Sequence, residues 1–138
     1  MDNDPCGKFN YSSVKEIPKE MLFKLIVANQ FFEHLNIQDS IDIICRLCDH
    51  LDKNGHFIST VPNIYHPVRI RGDITHVTFW DYKALYTLYK YANLDTIEIL
   101  KYSKRYPEGV IERIFSKYMN RIYRIDWCDS IFIAGIKR

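Results

Sequence analysis

Glycine is scarce in this chain of 138 residues, which contains only five glycines and no Gly-x-Gly pattern. Doubly wound nucleotide-binding folds usually bring their backbone close to the ligand through such a pattern, because a side chain at those positions would block the approach. The sequence therefore lacks the usual signature of a complete nucleotide-binding half. At this length we expect one domain that is short for a full doubly wound sheet.

Long hydrophobic runs are absent as well. No apolar run approaches the roughly 18 residues of a membrane-spanning helix, and the first residues show no basic segment followed by an apolar one. We therefore predict a cytoplasmic protein without a membrane partner. The four cysteines are dispersed, and without a secretory signal they are expected to be free thiols. Cys45 and Cys48 have helical core spacing, and no second pair completes a zinc site.

A strong charge of either sign is also lacking, since the formal net charge is +2. One segment departs from this balance. It begins at Lys101, ends at Arg124, and holds seven basic residues against two glutamates. Its apolar residues have helical spacing, which favours a docked amphipathic helix with a solvated basic face. The alternative is contact with a nucleic-acid backbone, for which its tyrosines could stack on bases.

The hydrophobic pattern predicts alternating strands and helices. Apolar, β-prone runs predict strands at residues 23–28, 56–61, 96–100 and 130–136. Helical periodicity predicts three helices. The first is capped by Asp39 or Ser40 and ends at Asn54, and the second starts from a capping box at Thr78 and ends near Asn93. The third covers residues 108–123. Such an order indicates an α/β fold with a mostly parallel sheet and helical crossovers.

Three segments carry a resemblance to a known family. Residues 25–35 read Leu-Ile-Val-Ala-Asn-Gln-Phe-Phe-Glu-His-Leu, residues 54–63 read Asn-Gly-His-Phe-Ile-Ser-Thr-Val-Pro-Asn, and residues 76–80 read His-Val-Thr-Phe-Trp. In this order and spacing they resemble the fourth strand, the fifth strand and the following helix start of class I S-adenosylmethionine-dependent methyltransferases. The resemblance covers residues 20–102 and, more loosely, the last strand.

This resemblance implies a truncated, Rossmann-like methyltransferase fold. Its sheet is expected to be mostly parallel, with an antiparallel last strand inserted between the two preceding ones. The chain is then one partial domain, residues 1–138. Residues 1–22 are interpreted as a remnant of the cofactor side, residues 23–102 as the strand-helix core, and residues 103–138 as the basic helix and last strand.

The resemblance also implies S-adenosylmethionine as the cofactor. Asp2 or Asp4 would stand where the family places the carboxylate that binds the ribose hydroxyls, and Asn29 and Gln30 where it lines the methyl-donor pocket. A simple strand-end turn explains the last two residues equally well. Since the glycine loop is missing, binding of the cofactor is expected to be weak or conditional.

The candidate catalytic residues are His34, His76 and Glu33. Gln30, Glu33 and His34 would share one face of a helical turn, and His76 approaches from the loop after the next strand. The set resembles the Glu-x-x-Glu-His metal site of small-RNA 2'-O-methyltransferases, with Gln30 in place of the first glutamate. An orienting hydrogen-bond network is the favoured interpretation, so no metal is predicted.

The sequence predicts a long loop over residues 63–77, and loops of this length are usually functional or disordered. His66, Arg69 and Arg71 could bind an acidic or phosphate-bearing methyl acceptor, although an ordinary solvated loop has the same composition. His66 is also a third candidate for the base, beside His34 and His76. The predicted activity is methyl transfer to an unknown acceptor, and the alternative is a non-catalytic binding or assembly module. An uncovered sheet edge predicts a homodimer.

Overall fold

The structure is a computed structural model that describes residues 11–68, 73–103 and 107–138. Its main elements follow the predicted order and have the bounds β1 (Phe23–Asn29), α1 (Ile37–Asp49), β2 (Leu51–Pro62), α2 (Tyr82–Tyr91), β3 (Leu94–Tyr102), α3 (Val110–Tyr123) and β4 (Ser130–Lys137). Two short 3-10 turns, Val14–Glu16 and Phe32–His34, precede β1 and α1. None of the helices in these ranges is long and apolar enough to cross a membrane.

The four strands form one sheet in the order β1-β2-β4-β3. Strand β1 is parallel to β2, whereas β4 is antiparallel to both of its neighbours. Three strands therefore run in one direction, and the last strand is inserted between two of them in the opposite direction. This confirms the α/β fold class and the antiparallel last strand that the family resemblance implied.

The core lies between the sheet and helices α1 and α2. Phe57 in the middle of β2 and Ile133 in β4 are completely buried there, together with Tyr89 of α2. The Tyr89 hydroxyl donates to the carbonyl of Ile133 at 3.0 Å and lies 2.9 Å from the Ser59 hydroxyl. These bonds satisfy the polar end of a buried aromatic side chain and fix α2 above the sheet.

Two helix starts differ from the prediction. Helix α1 is capped by Asn36, whose carboxamide oxygen accepts from the amide of Asp39 at 2.8 Å, and not by Asp39 or Ser40. Helix α2 is capped by Asp81. The Thr78 hydroxyl instead donates to the carbonyl of Leu35 at 2.6 Å. Several short polar side chains stand before each helix, and all of them are competent caps.

The predicted stop at Asn54 is also wrong, because helix α1 ends earlier and strand β2 already begins at Leu51. Asn54 adopts a positive φ of 62° inside the strand segment. The β1-β2 pairing shifts register between Phe23 and Leu25. Asparagine tolerates this left-handed conformation better than most residues. It therefore occurs at irregular positions within strands as well as at the ends of helices.

Helix α3 is amphipathic as predicted, but its apolar face is not docked on the described part of the chain. Ile111, Ile114 and Phe115 are 83%, 64% and 55% exposed. Leu25 and Val27, which share one face of β1, are also more than half exposed. Exposed apolar side chains that share one face commonly mark an interaction surface. The docked-helix interpretation was therefore wrong for α3.

The cysteine prediction is confirmed for the three cysteines that the structure describes. Cys45, Cys48 and Cys128 are free, and Cys6 lies outside the described residues. Cys48 is part of the buried core, where burial raises the pKa of its thiol to about 12. It packs as a small apolar residue, as its spacing in the sequence predicted.

Candidate functional site

The candidate site lies at the carboxyl ends of strands β1 and β2, next to the start of β4. The antiparallel pairing places Pro62 of β2 opposite Ser130 of β4, and the amide of Asn63 donates to the carbonyl of Asp129 at 3.0 Å. Open α/β sheets bind their ligands outside the carboxyl ends of the strands. The residues that follow β1 and β2 are therefore the ones to consider.

The chain after β1 forms a short turn to which the loop before α2 is fastened. The carbonyl of Glu33 accepts from the amides of Val77 at 2.8 Å and Thr78 at 3.1 Å. The indole N–H of the buried Trp80 donates to the carbonyl of Phe32 at 3.0 Å. These three bonds join two segments more than forty residues apart in the sequence and hold the loop against the turn.

As a result, His34 and His76 lie side by side. Their ring centroids are 5.1 Å apart, at an interplanar angle of 63°. The prediction that these two imidazoles converge at the carboxyl edge beside Glu33 therefore matches the geometry. His34 is exposed, whereas the side chain of His76 is only 10% exposed.

The hydrogen bonds of His34 define its neutral tautomer. Its Nδ1 lies 3.0 Å from the Thr75 hydroxyl and 3.4 Å from the Thr75 carbonyl. The carbonyl can only accept, and the hydroxyl already donates to the Asp73 carboxylate at 2.6 Å. Both partners therefore accept from Nδ1, which carries the proton. The lone pair of neutral His34 is then on Nε2, available to a proton or a cation.

Glu33 is the third member of the cluster and is 2% exposed. Neither of its carboxylate oxygens has a hydrogen-bond partner among the described residues. This burial raises the pKa of the carboxyl group, because the charged form is poorly solvated there. Ligand atoms of Glu33, His34 and His76 all lie within 4.8 Å of one another.

Asn29 and Gln30 lie at the end of β1, but Gln30 is not on the helical turn that the sequence predicted. Gln30 has a left-handed backbone, with a φ of 47°, and its amide donates to the carbonyl of Thr60 at 3.0 Å. The Thr60 hydroxyl donates to the side-chain oxygen of Asn29 and accepts from the side-chain amide of Gln30. The regular turn starts only at Phe32, so Gln30 does not share a helical face with Glu33.

His66 belongs to a different group of side chains at the same edge. Its Nε2 lies 3.8 Å from the buried carboxylate of Asp129, and its ring is 6.1 Å from the ring of Trp127. Its Nδ1 accepts from the amide of Val68 at 3.3 Å. With Nδ1 engaged as an acceptor, the proton of the neutral ring is on Nε2, facing Asp129. Neither ring nitrogen of the neutral His66 is therefore placed to remove a proton from an acceptor.

The basic segment is partly neutralised in the structure. Lys101 forms a hydrogen-bonded ion pair with the buried carboxylate of Asp126. Burial tends to raise the pKa of Asp126, but the Lys101 ammonium and the bonds from Cys128 outweigh it and hold that pKa below its usual range. Lys104 and Arg105 lie outside the described residues. The positive charges on α3 are exposed, as expected of either a solvated face or a binding face.

Four of the predicted ligand-binding residues lie outside the described residues, namely Asp2, Asp4, Arg69 and Arg71. The structure adds Asp73, Thr75 and Thr60, which the sequence interpretation did not select. Asp73 and Thr75 are separated by one residue, the spacing at which an aspartate side chain accepts from the backbone two residues later. That signal, immediately before His76, could have identified them.

Comparison with solved structures identifies the fold. The chain is similar to a SAM-dependent methyltransferase from Archaeoglobus fulgidus, with 14% identity, a TM-score of 0.70, and coverage of 90% of this chain and 63% of that one. It is similar to the N-methyltransferase NodS from Bradyrhizobium japonicum in complex with S-adenosyl-L-homocysteine, with 15% identity, a TM-score of 0.58, and coverage of 91% and 52%.

A third similar structure is phosphoethanolamine N-methyltransferase 2 from Haemonchus contortus in complex with S-adenosyl-L-methionine. It shows 14% identity and a TM-score of 0.57, with coverage of 83% of this chain and 33% of that one. No family model and no curated protein sequence matches the chain. The chain thus has the class I methyltransferase fold and spans between a third and two thirds of these three structures.

Proposed function

We propose that the chain forms the acceptor side of an S-adenosylmethionine-dependent methyltransferase with an unknown substrate. One observation carries this proposal, namely the convergence of His34, His76 and Glu33 at the carboxyl edge of a methyltransferase-type sheet. Titratable groups gathered at such an edge are typical of functional sites. The similar structures with bound S-adenosyl ligands support the choice of cofactor.

The end of β1 fits part of this cofactor. The Thr60 hydroxyl donates to the carboxamide oxygen of Asn29. The same hydroxyl accepts a hydrogen bond from the side-chain amide of Gln30. Asn29 therefore retains its two amide protons and Gln30 its carbonyl oxygen. These groups complement the carboxylate and the ammonium of a methionine moiety. The cofactor would supply an electrophilic methyl group, and the chain would contribute alignment at this edge.

A methyl acceptor that is a hydroxyl or a protonated amine must also lose a proton. His34 is the proposed base, because Thr75 holds its Nδ1 proton and leaves the Nε2 lone pair at the exposed face. His76 would pack against the His34 ring, and the buried carboxyl group of Glu33 would complete the catalytic cluster. His66, with Trp127 and Asp129 beside it, would contact the acceptor, and Arg69 and Arg71 are proposed to do the same.

Calorimetric titration with S-adenosylhomocysteine tests the cofactor part of the proposal. We expect weak, saturable binding, with a dissociation constant on the order of 1 mM, because the chain has no glycine loop and each tenfold loss of affinity is about 1.4 kcal/mol. Asn29→Ala should weaken binding several-fold. Asn120→Ala, at an exposed position of α3, is the matched control and should leave the affinity unchanged.

Two results of this titration would argue against the proposal. Failure of the wild-type chain to bind at any soluble ligand concentration would remove the cofactor. Equal affinities of the wild-type chain and Asn29→Ala would place the ligand elsewhere on the surface. Nanomolar binding would show instead that the contribution of the missing glycine loop is overestimated here.

A second candidate function is a non-catalytic assembly module. It is favoured by the exposed apolar side chains on α3 and on β1, which is an edge strand. A homodimer formed through a self-complementary contact is the commonest way to cover such a surface. A cytoplasmic location, and a nucleic-acid partner bound through the basic segment, stay predictions.

Light scattering tests the homodimer. We expect a dimer at micromolar concentrations and a shift towards monomer in Val27→Lys, because a charge on an apolar contact must be desolvated on association. Lys24→Ala, at an exposed position of the same strand, is the control and should stay dimeric. A monomeric wild-type chain would contradict the prediction.

A further inference from the structure

Helix α3 carries an apolar face that no described part of the chain covers. Five side chains on this face are each more than half exposed, namely Ile111, Ile114, Phe115, Tyr118 and Ile122. They recur at spacings of three and four residues along the helix, so they lie on one side of it. An exposed helical face of this kind needs a partner that is not part of the described chain.

A row of basic side chains runs beside this face. Arg113, Lys117 and Arg121 are four residues apart and exposed, so they form one line along the helix next to Ile114. Glu112 is the only acidic residue within α3. An apolar face with a cationic row beside it is the pattern of helices that lie in the interface of a membrane, where charged headgroups cover the acyl chains.

The two surfaces together discriminate between partners. A nucleic-acid backbone would neutralise the row of cations but would leave Ile111 and Phe115 in water. An anionic bilayer accounts for both surfaces, because the apolar side chains enter the acyl boundary while the cations stay beside the phosphates. The exposed apolar face therefore favours a lipid surface over the nucleic-acid contact that the basic segment alone allows.

Further apolar side chains protrude at the same end of the sheet. Helix α3 joins the end of β3 to the start of β4, and both lie beside the carboxyl end of β2. In the loop that follows β2, Ile74 is fully exposed and Val77 is 60% exposed. The amide of Asp126, just after α3, donates to the carbonyl of Tyr65 in this loop at 2.9 Å. Single side chains that protrude from separate segments fit a deformable lipid surface better than the groove of a folded partner.

We propose that α3 binds the surface of an anionic lipid bilayer, with its apolar face in the acyl boundary and its row of cations at the headgroups. The sequence prediction of no membrane partner rested on the lack of a spanning run, and a helix that lies on the surface needs none. The inference goes beyond the proposed function, because binding to lipid requires neither a methyl donor nor an acceptor. It brings the carboxyl edge of the sheet close to the bilayer.

The test is co-sedimentation of the chain with vesicles of phosphatidylcholine and phosphatidylserine in equal parts, compared with vesicles of phosphatidylcholine alone. We expect partitioning into the anionic vesicles to be stronger by at least about tenfold and to weaken as the salt concentration rises. Lys117→Gln and Arg121→Gln should each weaken it about fivefold. Lys90→Gln, at an exposed position of α2, is the matched control and should bind like the wild-type chain.

A second pair of variants tests the apolar face. The double variant Ile114→Gln with Phe115→Gln should weaken partitioning by at least about tenfold, because two large apolar side chains no longer leave water. Ile97→Gln changes an isoleucine of β3 that is 56% exposed, and it should leave the partitioning unchanged. Neither α3 position belongs to the buried core, and circular dichroism checks that each variant keeps the fold.

Four results would overturn the proposal. One is the absence of binding to anionic vesicles, and another is equal binding to vesicles of phosphatidylcholine alone. The third is unchanged partitioning of the folded double variant. The fourth is a wild-type chain that forms dimers in light scattering and ignores vesicles, while the double variant is monomeric. That result would assign the apolar face of α3 to a second copy of the chain.

Discussion

Phe57→Ala is expected to lower the free energy of unfolding by about 3–5 kcal/mol, as large-to-small substitutions of buried aromatic residues do. The Phe57 ring is completely buried at the centre of the sheet. Its centroid is 6.4 Å from that of Phe32 and 5.7 Å from that of Tyr89. Neither of these two neighbours is free to fill the space, because Tyr89 is held by its hydroxyl and Phe32 by the turn that follows β1.

Urea denaturation followed by circular dichroism measures this loss. Phe79→Ala, which removes the same side chain from a position that is 53% exposed, is the matched control and should cost less than about 1 kcal/mol. Equal effects of the two substitutions would contradict the placement of the core. The substitution also bears on the site, because Phe32 immediately precedes Glu33 and its packing against Phe57 supports the turn that carries His34.

The arrangement of the candidate site follows from features that a sequence displays. Two apolar runs followed by polar residues predict two parallel strands, and parallel neighbours end at one edge. His34 lies in the turn after the first strand, and His76 lies in the loop after the second. Their approach could therefore be predicted from the order of elements alone. The antiparallel last strand was predicted from the family resemblance, since apolar periodicity contains no information on strand direction.

Other features of the structure depend on contacts that are distant in the sequence. The periodicity of α3 shows which side chains share a face, but not what covers that face, so the exposure of Ile114 could not be predicted. The left-handed backbone of Gln30 is stabilised by Thr60, thirty residues later. The burial of Glu33 likewise depends on the loop before α2, which is hydrogen-bonded to the turn after β1. These features required the structure, and they changed the interpretation of the site.

His34→Ala is expected to slow methyl transfer by about 10²–10⁴-fold, the usual contribution of a positioned acid or base. The reason is the Nε2 lone pair, which Thr75 and Asp73 leave free by holding the proton on Nδ1. The effect should appear mainly in kcat, because the methyl donor is proposed to bind at Asn29 and Gln30. Thr75→Val should give a smaller loss, since it removes an orienting bond and keeps the imidazole.

The measurement is transfer of a labelled methyl group from S-adenosylmethionine to a panel of hydroxyl-bearing and amine-bearing acceptors. His56→Ala, which changes an exposed histidine in the middle of β2 outside the cluster, is the control. A wild-type rate in folded His34→Ala would contradict the proposed base, because that role requires the imidazole at this site.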